Sequence, residues 1–185
     1  MELDFSDRGA PSALLDKVDG VFGKADILVN NATYCVEASF RELSAELLSK
    51  HCDINIVGTC MLSAEFAKRL EGRRGGRIIN LVSGQDKSPE PGNLAYIATK
   101  GAVSAFTKTM ALEVASLGIT VNAVDPGPTD TGWMSDETKA YLKSKFPLKR
   151  IGTPEDAGRL VSFLASDEAQ WVTGQIIHSD GGFWS

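Results

Sequence analysis

Short runs of consecutive apolar residues alternate along the chain with longer segments whose apolar residues recur at helical spacing. The short runs predict β-strands at residues 2–5, 26–30, 77–82, 119–124 and 174–178. The longer segments predict helices at residues 12–22, 44–71 (with a break), 95–117 and 136–145, and a further helix beginning at Thr153-Pro154-Glu155-Asp156. Strands that are apolar on both faces are typical of parallel sheets covered by helices. Residues 1–185 are therefore predicted to form one α/β domain, a doubly wound parallel sheet with helices on both faces.

Composition and charge narrow the function classes. At 43% hydrophobic and 23% charged residues, the chain is typical of a globular domain. No apolar run approaches the ~20 residues of a membrane span, and the first residues are acidic rather than basic as in a secretory signal. We therefore expect a cytoplasmic location and no membrane partner. The net charge of −5 argues against a nucleic-acid partner, and the arginines at residues 69–77 indicate the solvated end of a helix.

The cysteines and histidines offer no pattern typical of a metal site. Cys35, Cys52 and Cys60 lack metal-like spacing, and His51 and His178 are the two imidazoles of the sequence. We expect buried or half-buried free thiols, no disulfide and no metal.

Candidate chemistry begins with Tyr96 and Lys100, which lie four residues apart in a predicted helix. Residues at this spacing share a helix face, so the phenol and the ammonium can meet. A nearby cation favours the phenolate and lowers the pKa of a tyrosine, which would make Tyr96 a usable acid–base group. Ser83 follows the strand at 77–82 and could polarise the same substrate oxygen.

The spacing alone is weak evidence, because Tyr141 and Lys145 repeat it. That second pair lies among further lysines and has no serine after a strand, so a solvated helix face is the better interpretation. For Tyr96 and Lys100 the alternative is likewise an ordinary surface pair, and other motifs decide between the two.

Three further motifs accompany the pair in a fixed order along the chain. Asn30-Asn31-Ala32 ends a predicted strand, Asn55 lies in a helical stretch, and Pro126-Gly127 follows the strand at 119–124. Together with Ser83 and Tyr-x-x-x-Lys, this set resembles the short-chain dehydrogenase/reductase family. The resemblance covers essentially the whole chain. One departure is Thr33, which stands where the family usually has glycine.

The resemblance implies a Rossmann-like fold, an NAD or NADP cofactor, and a small-molecule carbonyl or alcohol substrate. Tyr96 would exchange a proton with the carbonyl oxygen, Ser83 would hydrogen-bond that oxygen, Lys100 would hold the ribose hydroxyls and lower the pKa of Tyr96, and Asn55 would hold a relay water. Residues implied to contact the cofactor are Asp4, Phe5, Asn30, Ala32, Tyr96, Lys100, Pro126, Gly127 and Thr129. Residues implied to face the substrate are Ser83, Gln85 and Trp133, the last within a lid at 129–150.

The closing stretch at 173–182 resembles the ending of 3-oxoacyl-carrier-protein reductases and their relatives. This assigns a branch of the family and leaves the substrate open.

The family's glycine-rich turn, Thr-Gly-x-x-x-Gly-x-Gly, does not occur in this sequence. In the family this turn precedes the helix whose N-terminus binds the pyrophosphate. The chain therefore corresponds to the family from its third strand, with residues 2–5 as the adenine-side strand, and the first two strands are expected to be missing. Strand 26–30 should then be an edge. Residues 2–5 could shift to cover it, another chain could, or the native product could be longer; the third is favoured because the catalytic set is intact.

Two functions remain open at this stage. The first is a carbonyl reductase or alcohol dehydrogenase. The second is a cofactor-free remnant that acts as a structural or regulatory subunit. The family resemblance implies a homotetramer joined through residues 44–71, 95–117 and 174–178. Ala102, Phe106, Met110 and Val114 form an apolar stripe at helical spacing that we expect to face a partner subunit.

Overall fold

A computed structural model of the chain describes residues 9–73 and 75–183. Within them, four strands form one parallel sheet in the order β1-β2-β3-β4. The strands are β1 (Ile27–Asn30), β2 (Gly76–Leu81), β3 (Ile119–Asp125) and β4 (Ile176–His178). The helices are α1 (Ala10–Phe22), α2 (Ala45–His51), α3 (Thr59–Arg69), α4 (Leu94–Glu113), α5 (Asp136–Lys145) and α6 (Pro154–Ala165). A π-helical segment, Cys52–Gly58, joins α2 to α3, and Ala115–Leu117 and Asp167–Ala169 are single 3₁₀ turns.

Local capping signals explain why several predicted boundaries are confirmed. The Ser44 hydroxyl accepts a hydrogen bond from the Leu47 amide and begins α2. Thr153 and Asp156 form a reciprocal capping box at the start of α6, with Pro154 in its first turn. The predicted helix 95–117 ends early, at Glu113, and its last residues form a 3₁₀ turn closed by Gly118 at φ 73°. The predicted strand at 2–5, with Asp4 and Phe5, lies outside the described residues.

Both faces of the sheet are covered by helices, as predicted. Ile78 and Ile79 are adjacent in β2 and therefore point to opposite faces. Ile78 packs in a cluster with side chains of α1, α3 and α4, including Phe66, whereas Ile79 packs with Leu164 of α6. All seven residues of β3 are buried, so this strand is the centre of the core.

Strand β1 is an edge of the sheet within the described residues, because it pairs with β2 alone. Ile27 and Val29 are 48% and 40% exposed there. Exposed apolar residues on an unpaired edge favour association with another strand.

The arginines near the end of α3 dock neighbouring segments. Arg69 forms ion pairs with Asp16 at 2.6 Å and Asp19 at 2.8 Å, which hold α1 against α3. Arg73 and Arg77 pair with other aspartates. Each of these three arginines is therefore paired with an aspartate. A surface that binds a nucleic-acid backbone needs basic side chains that are free to contact phosphates.

The structure corrects the prediction that the apolar stripe of α4 faces a partner. Met110 and Val114 are buried in the core cluster, and Phe106 packs against it. The stripe therefore serves the core, because this face of α4 lies on the sheet and α3. The large apolar side chains that α4 exposes are instead Leu94 and Leu112, the latter 81% exposed.

The cysteines are all free, and Cys52 and Cys60 are half-buried as expected. Cys35 is exposed, which corrects the expectation of a covered thiol; it lies in the loop after β1 rather than in a helix. Among the described residues, no helix has the length and apolar content needed to cross a membrane.

Candidate active site

The carboxyl ends of β2 and β3 lie side by side and carry the candidate catalytic residues. Leu81 pairs with Val124, and the Val82 amide continues the pairing with a 2.9 Å hydrogen bond to the Val124 carbonyl. Ser83 lies two residues after the end of β2, and Pro126 is the first residue after β3. In open parallel sheets, ligands bind outside these carboxyl ends.

Lys100 connects α4 to the end of β2. Its side chain is buried, at 5% exposure, and Nζ donates a 2.8 Å hydrogen bond to the carbonyl of Leu81. The same Nζ lies 5.6 Å from the centre of the Tyr96 ring. Burial lowers the pKa of Lys100 to about 8, because a low-dielectric environment disfavours the ammonium. The structure therefore brings Lys100 and Tyr96 together, and it holds Lys100 against Leu81, two residues before Ser83.

Tyr96 has a raised pKa, which corrects the expectation that Lys100 lowers it. Burial raises the pKa of Tyr96 to about 12, and negative charge at Cys35 and Asp125 adds to the effect. Lys100, whose pKa is about 8, has released its proton in the pH range where Tyr96 titrates, so no ammonium remains there to favour the phenolate. Tyr96 is therefore a neutral phenol at pH 7, which is the form that can donate a proton.

The second tyrosine–lysine pair has the same geometry in a different environment. Lys145 Nζ lies 5.5 Å from the ring centre of Tyr141, close to the value for Lys100 and Tyr96. Tyr141, however, is 63% exposed. Burial, rather than spacing, distinguishes the candidate catalytic pair from the surface pair.

Ser83 and Gln85 begin the loop that follows β2. The Ser83 hydroxyl accepts a long hydrogen bond, 3.4 Å, from the Gln85 amide. Gln85 Nε2 lies 3.5 Å from a carboxylate oxygen of Glu90, while its Oε1 is buried and has no hydrogen-bond partner within the described part of the chain. A buried acceptor without a partner is unfavourable unless a ligand completes it.

The side chain of Asn55 is engaged by the protein, through its amide and its carbonyl oxygen. Its Nδ2 donates to the Tyr34 carbonyl at 2.8 Å and to the Thr99 hydroxyl at 2.9 Å, and its Oδ1 accepts from the Tyr34 amide at 2.7 Å. Both side-chain donors are thus used. Asn55 lies in the π-helical segment, a conformation found frequently at functional sites. Its side chain positions the loop after β1 against α4.

His51 adds a second attachment for the same loop, one turn before Asn55. Its Nε2 accepts a hydrogen bond from the Val36 amide at 3.2 Å, and its Nδ1 lies 2.8 Å from the Leu47 carbonyl, to which it donates in the matching tautomer. His51 also contacts the Tyr34 ring edge-on. These contacts fix Cys35 near Lys100 and Tyr96. His51, Thr99 and Cys35 were missed by sequence analysis, because only the tertiary contacts bring them to the site.

Asn30 and Ala32, expected beside the cofactor, lie at the end of β1. Asn30 Nδ2 donates to Ser63 Oγ at 3.0 Å and to Asn80 Oδ1 at 2.8 Å, so this side chain ties β1 to β2 and α3. Asn30 and Ala32 line a cavity of about 50 Å³ with Ile54 of the π-helical segment.

The turn after β3 requires glycine. Gly127 adopts φ 61°, and a Cβ at this position would lie 2.7 Å from the Cβ of Asp180. The Thr129 hydroxyl bonds within the turn, 3.1 Å from the Pro126 carbonyl. Pro126, Gly127 and Thr129 thus form a rigid border on the same edge of the sheet as Ser83.

Trp133 lies in the predicted lid and is 64% exposed, and its indole N–H donates to the Thr129 carbonyl at 3.1 Å. Met134 and Phe146 of the same segment are buried. The exposed indole is therefore available to a ligand, whereas the other two side chains anchor the segment.

Comparison with known sequences identifies close relatives. The family model for enoyl-(acyl carrier protein) reductases matches residues 1–184. The uncharacterized oxidoreductase YjdA of Bacillus subtilis is 51% identical over 185 residues, which cover 99% of this chain and 74% of the relative. A 3-oxoacyl-[acyl-carrier-protein] reductase, FabG of Haemophilus influenzae, is 37% identical, with 98% of this chain and 76% of the relative covered.

Solved structures agree with these relatives. A double phenylalanine-to-leucine variant of a Serratia marcescens short-chain dehydrogenase/reductase superposes with a TM-score of 0.91 at 31% identity, covering 100% of this chain and 76% of the other. A gluconate 5-dehydrogenase from Burkholderia cenocepacia, in complex with NADP and tartrate, gives a TM-score of 0.90 at 29% identity, covering 97% and 72%.

The buried ammonium of Lys100 should make stability depend on pH. Its folded-state pKa of about 8 lies below the ordinary 10.5, so between these values the unfolded chain holds a proton that the folded chain has released. The contribution of Lys100 to stability is therefore unfavourable below pH 8 and rises through this window. We predict that the Tm of the wild type, relative to that of Lys100→Met, increases between pH 7 and pH 10. Lys108→Met, an exposed lysine of the same helix, is the control, and an equal pH dependence for both variants would contradict the prediction.

Proposed function

The chain belongs to the short-chain dehydrogenase/reductase family of oxidoreductases, and we propose that it interconverts a carbonyl and an alcohol with a nicotinamide cofactor. One observation carries this proposal: a half-buried tyrosine and a buried lysine lie together at the carboxyl end of β2, close to Ser83. No structural need explains an ammonium at this depth, since burying a charge is costly.

The protonation of Tyr96 supports the reductive direction. At pH 7 the phenol of Tyr96 is protonated, both at the ordinary pKa of 10 and at the value of about 12 to which burial raises it, so it can give its proton to a substrate oxygen that gains negative charge. The Ser83 hydroxyl would donate a second hydrogen bond to that oxygen. In the oxidative direction Tyr96 must first lose its proton, so this rate should rise with pH. The nicotinamide, when bound, supplies or accepts the hydride.

The residues fit the nicotinamide half of the cofactor. Lys100 uses one of its three N–H donors on Leu81, so two remain for ribose hydroxyls. Asn30 and Ala32 would border the cofactor on one side, and Pro126, Gly127 and Thr129 on the other. Asn55, through Tyr34 and Thr99, would keep these parts in register. These contacts are equally compatible with NAD and with NADP.

The substrate proposed is a 3-oxoacyl thioester or a related ketone. The similarity to FabG and the resemblance of residues 173–182 to that branch support it. The family model carries the name of enoyl reductases, which reduce a C=C bond. A serine and a tyrosine that both donate to one oxygen favour a C=O bond instead. Trp133 is exposed, so its indole ring would pack on the substrate. The Oε1 atom of Gln85, which has no partner among the described residues, would accept a hydrogen bond from a substrate N–H or hydroxyl.

Tyr96→Phe should lower turnover of a 3-oxoacyl thioester by ~10²- to 10⁴-fold, because it removes the proton donor and keeps the ring. The assay uses steady-state oxidation of NADPH or NADH at millimolar cofactor. Tyr141→Phe is the matched control, since the Tyr141–Lys145 pair has the same geometry on the surface. Unchanged turnover in Tyr96→Phe, or a larger loss in Tyr141→Phe, would refute the assignment of Ser83, Tyr96 and Lys100.

Cofactor affinity of the 185-residue chain should be weak. The sequence has no glycine-rich turn to bring main-chain N–H groups to the pyrophosphate, which removes the main anionic contact. We predict no saturable binding of NADH or NADPH at micromolar concentrations in a fluorescence titration. Tight 1:1 binding would contradict this and would mean that another segment or a partner subunit binds the pyrophosphate.

Assembly as a homotetramer is proposed from the family, with contacts through α2–α3, α4 and β4. Exposed apolar side chains on two of these elements, Met61 and Leu112, support the proposal. Leu112→Glu should therefore shift the sedimentation profile toward smaller species. Val21→Glu, an exposed apolar position on α1, is the control. A wild-type chain that sediments as a stable monomer would argue against the assembly and against a subunit role.

A further inference from the structure

A second cluster of polar side chains lies at the ends of β3 and β4, outside the proposed catalytic set. Asp125 is the last residue of β3, His178 is the last residue of β4, and Asp180 follows two residues later. The pairing of Asp125 with His178 in the sheet brings the three together. One donor atom of each residue lies within 4.8 Å of the other two.

Main-chain amides orient both carboxylates. The Gly127 amide donates to Asp125 Oδ1 at 3.0 Å, and the Gly182 amide donates to Asp180 Oδ1 at 2.9 Å. Each carboxylate therefore keeps one oxygen for the cluster, and Asp125 Oδ2 lies 2.7 Å from His178 Nδ1. Such supporting hydrogen bonds are typical of metal ligands, whose orientation they fix.

The charge of the cluster is not balanced by a lysine or an arginine. Asp125 is 1% exposed, and among the described residues His178 is the one basic side chain within hydrogen-bond distance of its carboxylate. Arg150 is near, but its guanidinium is bonded to both carboxylate oxygens of Asp156, at 2.6 and 2.8 Å. Buried carboxylates are ordinarily paired with a cation or bound to a metal.

The cluster opens onto a large pocket. Its volume is about 540 Å³, and its lining includes His178, Ser179 and Asp180 together with Phe146 and Arg150. An ion could therefore enter from solvent, and water could complete its coordination. Metal–donor distances of ~2.0 to 2.2 Å require that any two donor atoms lie at most ~4.4 Å apart. The donor atoms of this cluster lie within 4.8 Å of one another, so side-chain movements that shift them by less than ~1 Å would be enough.

We propose that Asp125, His178 and Asp180 bind one divalent transition-metal ion such as Mn²⁺ or Zn²⁺. An imidazole nitrogen beside two carboxylates selects ions of this class, whereas Mg²⁺ and Ca²⁺ prefer ligand sets made of oxygen. The bound ion ties the turn at Pro126 and Gly127 to the segment after β4. The argument for this site does not rest on the proposed oxidoreductase activity.

The test titrates Mn²⁺ into the EDTA-treated, dialysed 185-residue chain and counts bound ions by electron paramagnetic resonance. We expect one Mn²⁺ per chain, and a rise in Tm with Mn²⁺ concentration, since the ion binds the folded state. Asp180→Asn and His178→Gln should each weaken binding by ~10-fold or more. Asp180→Asn retains an oxygen for the Gly182 amide, and circular dichroism confirms that both variants fold.

Asp167→Asn is the matched control, an exposed aspartate that should leave Mn²⁺ binding unchanged. The absence of saturable binding by the wild type would overturn the proposal and identify His178 as the counter-ion of Asp125. Binding of equal strength in the wild type and in both ligand variants would also overturn it, because the ion would then lie elsewhere.

Discussion

The hydrogen bond from the buried Lys100 ammonium to the Leu81 carbonyl is the interaction on which the site depends. For it to form, the first turns of α4 must lie against the end of β2. Tyr96, one turn earlier on the same helix face, is then placed at that end, and Ser83 follows Leu81 by two residues. A single contact between a helix and a strand thus fixes the relation of all three side chains. Its energetic cost, the desolvation of an ammonium, is consistent with a functional rather than a structural purpose.

The fold was largely predictable because its signals are local. The run at 119–124 is apolar on both faces, as the fully buried β3 requires, and Ser44 and Thr153 form the expected caps. The rotation of α4 could not be predicted in the same way. Met110 and Val114 lie at helical spacing whichever surface they face, and only the packing of α3 and the sheet shows that they belong to the core.

In the candidate site, too, the features with local signals could be predicted, and the features that depend on tertiary packing could not. Ser83, Tyr96 and Lys100 could be predicted from the sequence. Residues four apart share a helix face, and a residue just after a strand lies at the end of the sheet, so their spacing and order predict that they lie close together. The raised pKa of Tyr96 depends on burial, so the spacing of Tyr96 and Lys100 gave the wrong expectation for it. The partners of the Asn55 side chain, Tyr34 and Thr99, are distant in sequence and could not be read from a motif. Asp125 and His178 are 53 positions apart in the sequence, so no short motif predicts that they pair.

The most direct test of the central claim, that this site reduces a carbonyl by hydride transfer, is to follow the hydride itself. The 185-residue chain is incubated with a 3-oxoacyl thioester and with NADPH or NADH carrying deuterium on one or the other face of C4 of the nicotinamide. Mass spectrometry of the product alcohol then locates the label. The account predicts one deuterium on the former carbonyl carbon, from one face of the cofactor only. An alcohol product without deuterium from either face, or no product from any ketone or thioester at millimolar cofactor, would contradict it.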